Sequence, residues 1–173
     1  MGGAIAPETA PGGDARLRLQ LELPIAEQVV GGPSEGDAHE APIAGLRVLV
    51  AEDNEPNRRV LQVLLAPAGI YLTFAEDGVK AVDAATRGAF DLILMDANMP
   101  RMDGVDAVRA IRRLWGPVAD MPIHMLTANA FEDDVRDYLA AGADGVLAKP
   151  VDVHQLYGLL AAVTAAVSRR AAA

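Results

Sequence analysis

The sequence has no cysteine, which excludes disulfides, thiolate metal sites and cysteine nucleophiles. Aromatic residues make up only 4% of its 173 residues, so aliphatic side chains and methionine must fill the core. No apolar run approaches the roughly 18 residues of a membrane span, and the N-terminus lacks the basic and apolar regions of a signal peptide. We therefore expect a cytoplasmic chain without direct membrane contact, whether or not a larger parent protein is anchored in a membrane.

Basic residues are also scarce. The 15 lysines and arginines are outnumbered by 24 acids, which gives a formal net charge of −9 and a pI near 4.7. Because a nucleic-acid partner requires a basic face, we expect no nucleic acid among the partners. Lys80 and Lys149 are the two lysines among the 15 basic residues of the sequence. Because lysine is so rare here, a lysine at the end of a strand points to a specific role.

Composition divides the chain into four segments. A flexible tail, a linker rich in Gly, Pro and acids, one folded domain and a short C-terminal tail have the predicted ranges 1–26, 27–45, 46–168 and 169–173. Residues 1–13 are mainly Gly, Ala and Pro, which predicts disorder. Residues 16–23 alternate polar and apolar side chains, which predicts a strand that pairs with another segment or belongs to a neighbouring domain.

From Leu46 onward, short apolar runs alternate with amphipathic helical patterns. The runs predicted as strands are residues 47–51, 71–75, 92–96, 122–127 and 145–148. This alternation predicts an α/β fold with a doubly wound, five-stranded parallel sheet that carries helices on both faces. For its strand order we take 2-1-3-4-5, the common order of flavodoxin-like folds. On the first helix, the pattern places Val60, Val63 and Leu64 against the core.

Polar side chains follow four of these five strands. Glu52 and Asp53 end the first strand, Asp96 the third, Thr127 the fourth and Lys149 the fifth. In a parallel sheet these ends share one edge, where three crowded carboxylates would repel one another unless a hard cation such as Mg²⁺ compensated them. A lysine and a hydroxyl facing the acids could hold phosphoryl oxygens, so the pattern indicates phosphoryl transfer with Asp96 as nucleophile.

Each of these residues also has an ordinary structural role. Glu52 and Asp53 could cap the first helix, Thr127 could simply end a strand, and Lys149 could be a solvated side chain before a turn. The coincidence of all of them at one edge of the sheet favours a functional site.

These residues lie in motifs that resemble the receiver domain of two-component response regulators, over Leu46 to about Ser168. The motifs are Glu52-Asp53, Met95-Asp96, Met99-Pro100, Met102-Asp103-Gly104, Thr127-Ala128 and Lys149-Pro150. The resemblance implies that Asp96 is the phosphoacceptor of a phosphorelay. The phosphoryl donor would be a phosphohistidine on the dimerisation domain of a histidine kinase or on a histidine phosphotransfer protein.

The resemblance also implies roles for the neighbours of Asp96. The ligands that it implies for Mg²⁺ are Asp53 directly, Glu52 partly through water, Asp96, and the backbone carbonyl of Asn98. Thr127 would be the switch hydroxyl, and Lys149 would contact the phosphoryl group. The peptide bond between Lys149 and Pro150 is usually cis in this family, so we expect a cis bond here.

Two stretches, residues 52–57 and 126–130, resemble the receivers of hybrid sensor kinases. Residues 16–24 resemble the closing strand of a histidine-kinase ATP-binding domain. This resemblance implies the C-terminal receiver of a hybrid histidine kinase, which would act as a self-phosphorylating acceptor rather than as a turnover enzyme. Kinase nucleotide-binding boxes and a phosphoaccepting histidine motif are absent from this sequence.

One position departs from the family pattern. Receivers usually carry Tyr or Phe three residues before the lysine, and this sequence has Val146 there. Because Val146 has no ring to rotate, we expect little movement of the last strand and helix. We therefore place the partner surface on the first helix, at Asn57, Arg58 and Leu61.

Two alternative functions stay open. A Mg²⁺-dependent phosphohydrolase would also form an aspartyl-phosphate, but it needs a general acid two residues after the nucleophile, where this sequence has Asn98. A receiver that serves only for interaction, with weak switching, is the other alternative. A site that had lost its chemistry would lack Asp96 or Lys149, and both residues are present.

Overall fold

A computed structural model describes residues 3–9, 15–21 and 43–171 of the chain. These residues belong to two compact units, Met1–Ala38 and His39–Ala173. Within the part of the chain so described, no helix has both the length and the apolar character that crossing a membrane requires.

The first unit contains an antiparallel hairpin of β1 (Gly3–Thr9) and β2 (Ala15–Leu21), in which Gly3 pairs with Leu21 and Thr9 with Ala15. Of the alternating stretch 16–23, the described residues 16–21 lie in β2, which confirms the predicted strand there. Its partner is the preceding segment, for which composition predicted disorder. A Gly- and Pro-containing segment has low intrinsic strand propensity, but pairing satisfies the backbone groups with which the two strands face each other. Of the predicted linker, 27–45, residues 27–42 lie outside the described residues.

The second unit alternates strands and helices as the sequence predicts. Its strands are β3 (Arg47–Ala51), β4 (Tyr71–Ala75), β5 (Leu92–Asp96), β6 (Ile123–Thr127) and β7 (Gly145–Ala148). Its α-helices are α1 (Glu55–Leu65), α2 (Gly78–Arg87), α3 (Gly104–Arg112), α4 (Glu132–Ala141) and α5 (Val153–Ala171). Short 3₁₀ turns lie at Ala66–Ala68 and Pro117–Asp120. Helix α5 continues through Ala171, so the predicted domain end at 168 lies inside it.

The five strands form one parallel sheet in the order β4-β3-β5-β6-β7. Counted from β3, this is the predicted order 2-1-3-4-5, so the predicted fold is confirmed. Every residue of the central strand β5 is buried, because helices cover both faces of the sheet. All five strands therefore end at one edge, and the residues that follow them lie side by side there.

Two apolar clusters fill the space on the two faces of the sheet. One contains Leu49, Ile93 and Met95 together with buried residues of α2, α3 and α4. The other contains alternate strand residues, such as Val50 and Leu94, with buried residues of α1 and α5. This division follows from the period of two along a strand, which sends neighbouring side chains to opposite faces.

Helix α1 turns a different face to the core from the one predicted. Leu61 and Leu65 are buried, whereas Val60 and Val63 are 56% and 69% exposed and Leu64 is half-buried. The prediction was wrong because both stripes have helical spacing, and the pattern alone does not say which one meets the sheet. The same ambiguity affects α2, where Ala81 and Ala85 are buried but Val79 is not.

We predict that Gly104→Ala destabilises the fold. A Cβ at Gly104, the first residue of α3, would lie well inside contact distance of the backbone carbonyl oxygen of Asp96, which cannot move aside as a flexible side chain could. We expect the free energy of unfolding to fall by roughly 1–3 kcal/mol, the usual cost of overpacking, in urea denaturation.

Gly158→Ala is the matched control. A Cβ at Gly158, inside α5, meets nothing within 4 Å. Because alanine is the better helix former, this variant should keep or raise the stability, by up to about 1 kcal/mol. If both variants lost the same free energy of unfolding, the close approach of α3 to the end of β5 would not be the cause of the destabilisation in Gly104→Ala.

Candidate functional site

Three carboxylates converge at the edge where the strands end. Glu52 and Asp53 directly follow β3, and Asp96 is the last residue of the neighbouring β5. One oxygen from each carboxylate lies within 4.8 Å of the others. The side chains of Glu52 and Asp96 are buried, whereas Asp53 is exposed. The sequence prediction of a carboxylate cluster at this position is therefore confirmed.

Lys149 compensates the two buried acids. Its Nζ donates to Glu52 Oε2 at 2.6 Å and forms an ion pair with Asp96 Oδ2 at 2.8 Å. Burial raises the pKa of the Asp96 carboxyl above its ordinary value; the bond from Lys149 opposes this shift, and the charge of Glu52 adds to it. Burial alone would lower the pKa of Lys149, but its bonds to Asp96 and Glu52 raise it above the ordinary value. Lys149 is therefore held as a cation.

The start of α1 holds Glu52 and Asp53 in place. Glu52 Oε1 accepts from the backbone N–H of Asn54 at 3.2 Å and from Asn57 Nδ2 at 3.0 Å. The Arg58 guanidinium donates to the carbonyl oxygens of Glu52 and Asp53 at 2.9 and 2.8 Å. Asn57 and Arg58 were predicted as exposed partner residues, but they are half-buried and fix the acidic pair. No spacing signal could have revealed these roles.

The loop after β5 is held at several points. Asp96 Oδ1 accepts from the backbone N–H of Asn98 at 3.3 Å. The N–H of Gly78 donates to the carbonyl of Met102 at 3.1 Å, and Arg101, whose φ is 67°, pairs with the buried Asp77. These contacts tie the loop to the start of α2. The carbonyl of Asn98 as a metal ligand stays a prediction.

Thr127 and Lys149 complete the edge of the sheet. The buried Thr127 Oγ1 donates to the Asn129 carbonyl at 2.9 Å and accepts from the Asn129 N–H at 3.1 Å. It also lies 3.2 Å from the hydroxyl of Tyr138 on α4. The peptide bond between Lys149 and Pro150 is cis, as predicted. The bond to Tyr138 could not be predicted from the sequence, because two residues eleven positions apart on different elements share no periodic pattern.

The donor set suits a hard divalent cation. Among the described residues, Glu52, Asp53 and Asp96 are the one group of three ligating side chains close enough to share an ion. All three offer oxygen, which Mg²⁺ prefers, and the exposed side of Asp53 leaves room for the waters that Mg²⁺ retains. A nucleophilic carboxylate beside such a site and a lysine can take part in phosphoryl transfer.

Sequence comparison relates the chain to sensor kinases. It is 36% identical over 168 residues to the sensor histidine kinase AruS of Pseudomonas aeruginosa, an alignment that covers 96% of this chain and 16% of AruS. It is 34% identical over 162 residues to the aerobic respiration control sensor protein ArcB of Escherichia coli, covering 92% of this chain and 20% of ArcB. The chain thus spans at most about a fifth of the length of these relatives.

The solved structures that resemble this chain include receiver domains. The receiver domain of sensor histidine kinase PA1611 from Pseudomonas aeruginosa, with magnesium coordinated in its active-site cleft, matches with a TM-score of 0.65 and 38% identity, covering 70% of this chain and 99% of that one. The receiver domain of Saccharomyces cerevisiae Ssk1 was solved with the histidine phosphotransfer protein Ypd1. It matches with a TM-score of 0.58 and 32% identity, and the alignment covers 64% of this chain and 83% of that one.

We predict that Lys149→Met destabilises the fold by roughly 1–3 kcal/mol at neutral pH, because it leaves two buried carboxylates facing each other. Since burial already raises the pKa of Asp96, protonation relieves this repulsion, and the deficit should narrow as the pH falls through the carboxyl range. Urea denaturation at several pH values measures both effects. Lys80→Met, which removes an exposed ion pair with Glu76, should change little; an equal loss there would contradict the prediction.

The family follows from three observations together. The model of the response regulator receiver domain matches residues 48–161. The sheet order is the predicted one, and the carboxylates and Lys149 meet at its edge. The chain therefore belongs to the family of response regulator receiver domains.

Proposed function

We propose that this chain is the receiver of a hybrid histidine kinase and that Asp96 accepts a phosphoryl group from a phosphohistidine. The observation that carries the proposal is the buried Asp96 carboxylate, which lies within ligand distance of Glu52 and Asp53 and 2.8 Å from Lys149. Family membership supports it, and so does the similarity to sensor kinases over most of the chain.

Magnesium is the cofactor that we propose for this reaction. Glu52, Asp53 and Asp96 would hold it, together with the backbone carbonyl of Asn98. Bound there, the ion would neutralise charge on the acids and on the incoming phosphoryl group. The magnesium in the cleft of the PA1611 receiver supports this assignment, as does the all-oxygen donor set.

The side chains around Asp96 then have complementary tasks. A carboxylate oxygen of Asp96 forms a bond to phosphorus, the N–P bond of the donor breaks, and the imidazole leaves with the electron pair. Lys149, held as a cation, can transfer its contact from the carboxylate to the phosphoryl oxygens, and Thr127 can donate its hydroxyl proton to them. The phosphohydrolase alternative gains no support, because Asn98 offers no general acid.

We expect acetyl phosphate with Mg²⁺ to add one phosphoryl group to the wild type and none to Asp96→Asn. Intact-mass spectrometry measures the product. EDTA should abolish labelling, and Asp53→Asn should slow it about tenfold or more, because a metal ligand is lost.

Asp137→Asn is the control for these acids, because Asp137 is an exposed acid on α4, away from the carboxylate cluster. It should be labelled like the wild type. Labelled Asp96→Asn protein, or labelling that survives EDTA, would contradict the proposed function.

The partner surface that we propose is the exposed apolar face of α1. Pro56, Val60, Val63 and Leu64 line a groove with charged residues at its side. A second groove shares Val60 and continues past Asn57 to Lys149. Leu61, predicted as an exposed contact, is buried and cannot serve.

The occupant that we propose for this face is a helical histidine domain of a kinase or phosphotransfer protein. The face is continuous with the acidic site, so a helix lying on it would bring its histidine toward Asp96. The complex between Ypd1 and the Ssk1 receiver shows that a related receiver binds a phosphotransfer protein.

We predict that Val63→Glu slows phosphoryl transfer from a phosphorylated histidine phosphotransfer protein by roughly tenfold, because it places a charge in an apolar contact. Labelling by acetyl phosphate should not change, since this small donor needs no docking surface. A stopped-flow or quench assay of transfer makes the comparison.

Val79→Glu is the matched control, because Val79 is 48% exposed and lies on α2, on the other face of the sheet. It should transfer like the wild type. Equal slowing in the two variants, or none in Val63→Glu, would place the partner elsewhere.

A further inference from the structure

The hydroxyl of Thr127 has all its hydrogen-bonding capacity in use. A threonine hydroxyl has one proton to donate and two lone pairs to accept with. Its proton points to the Asn129 carbonyl, and one lone pair accepts the Asn129 N–H. We assign the Thr127 proton to the nearer acceptor, the Asn129 carbonyl at 2.9 Å, which makes the Tyr138 phenol, 3.2 Å from Oγ1, the donor of their bond.

Tyr138 connects α4 to the core of the domain. Its ring is half-buried and packs against the same core cluster as Val146. Ala141 is the one buried residue of α4, and Phe131, at the N-cap, makes no side-chain capping hydrogen bond. The bond to Thr127 thus joins the middle of a weakly anchored helix to the end of β6.

We propose that Tyr138 is a positioning residue for Thr127, and that it couples the state of Asp96 to α4. The inference rests on the proposed function, in which Thr127 donates to the phosphoryl group. Val146, at the position where an aromatic ring was expected, has no side-chain group that can form a hydrogen bond. Tyr138 supplies from α4 a polar contact to Thr127 that Val146 cannot make.

The coupling follows from the single hydroxyl proton of Thr127 and from the position of Oγ1. The proton can go to the Asn129 carbonyl or to a phosphoryl oxygen on Asp96, but not to both, and the second bond would require the Thr127 side chain to rotate. Turning the hydroxyl toward Asp96 moves Oγ1 away from Asn129, and Tyr138 then loses its acceptor. A half-buried phenol without a partner is unfavourable, so Tyr138 and the middle of α4 move to find another. Phosphorylation thereby shifts α4 through a contact that differs between the two states.

The test compares wild type with Tyr138→Phe, which removes the hydroxyl and keeps the ring. Beryllofluoride with Mg²⁺ replaces the phosphoryl group, and amide chemical shifts are recorded through the titration. In the wild type we expect shifts at Thr127, Asn129 and throughout α4. In the variant the α4 shifts should be largely lost.

The affinity provides a readout that a purely structural role would not produce. Because Tyr138 stabilises the arrangement in which Thr127 points away from Asp96, its loss should tighten beryllofluoride binding, by about fivefold for one hydrogen bond. A variant that was merely less well folded would bind more weakly. Tyr157→Phe is the matched control: it removes a hydroxyl that donates to the Leu64 carbonyl on the other side of the sheet, and it should respond like the wild type.

The outcomes separate this inference from the proposed function. A wild type that binds no beryllofluoride would refute the proposed function and the inference with it. If the wild type binds and responds, but Tyr138→Phe shows the same α4 shifts and affinity, the coupling through Tyr138 is refuted and the phosphoacceptor function stands.

Discussion

A single ammonium group shared by two buried carboxylates governs the architecture of this site. Lys149 follows β7 at one end of the sheet order, whereas Glu52 follows β3, three strands away. A long side chain is needed to cross that distance, because neighbouring strands are about 4.8 Å apart. The contact also requires that β3, β5 and β7 end at the same edge, which only their parallel order provides. The close approach of the three charged residues thus depends on the order of the sheet.

The carboxylate cluster could be predicted from the sequence because it follows from buried strands, whereas the sheet order was taken from a common doubly wound topology. Continuous apolar runs indicate strands covered on both faces, and the residue after each run must lie at the sheet edge. Asp96 and Lys149 were identified as site residues from their positions at the ends of predicted strands. The cis bond before Pro150 came from the family resemblance. None of these inferences required knowledge of any helix surface.

The features that the sequence could not predict all depend on contacts between elements. Helix α1 has two apolar stripes, and the pattern cannot say which of them meets the sheet; the stripe of Leu61 does so, and that of Val63 remains exposed. Asn57 and Tyr138 have polar roles that depend on where α1 and α4 lie, and those positions are set by packing. The pairing of β2 with β1 likewise could not be predicted, because the composition of a Gly- and Pro-containing segment does not indicate that it pairs as a strand.

The separation of the core into two clusters has a consequence for the timing of signalling. The apolar face of α1 and the Tyr138 side of α4 belong to helices that pack on opposite faces of the same sheet. A helix bound on the exposed face of α1 would therefore lie across the sheet from α4. In the function that we propose, the chain would receive its phosphoryl group and present an altered α4 within a single encounter, with the donor still in place. Such a relay would need no interval in which the receiver is free of its donor.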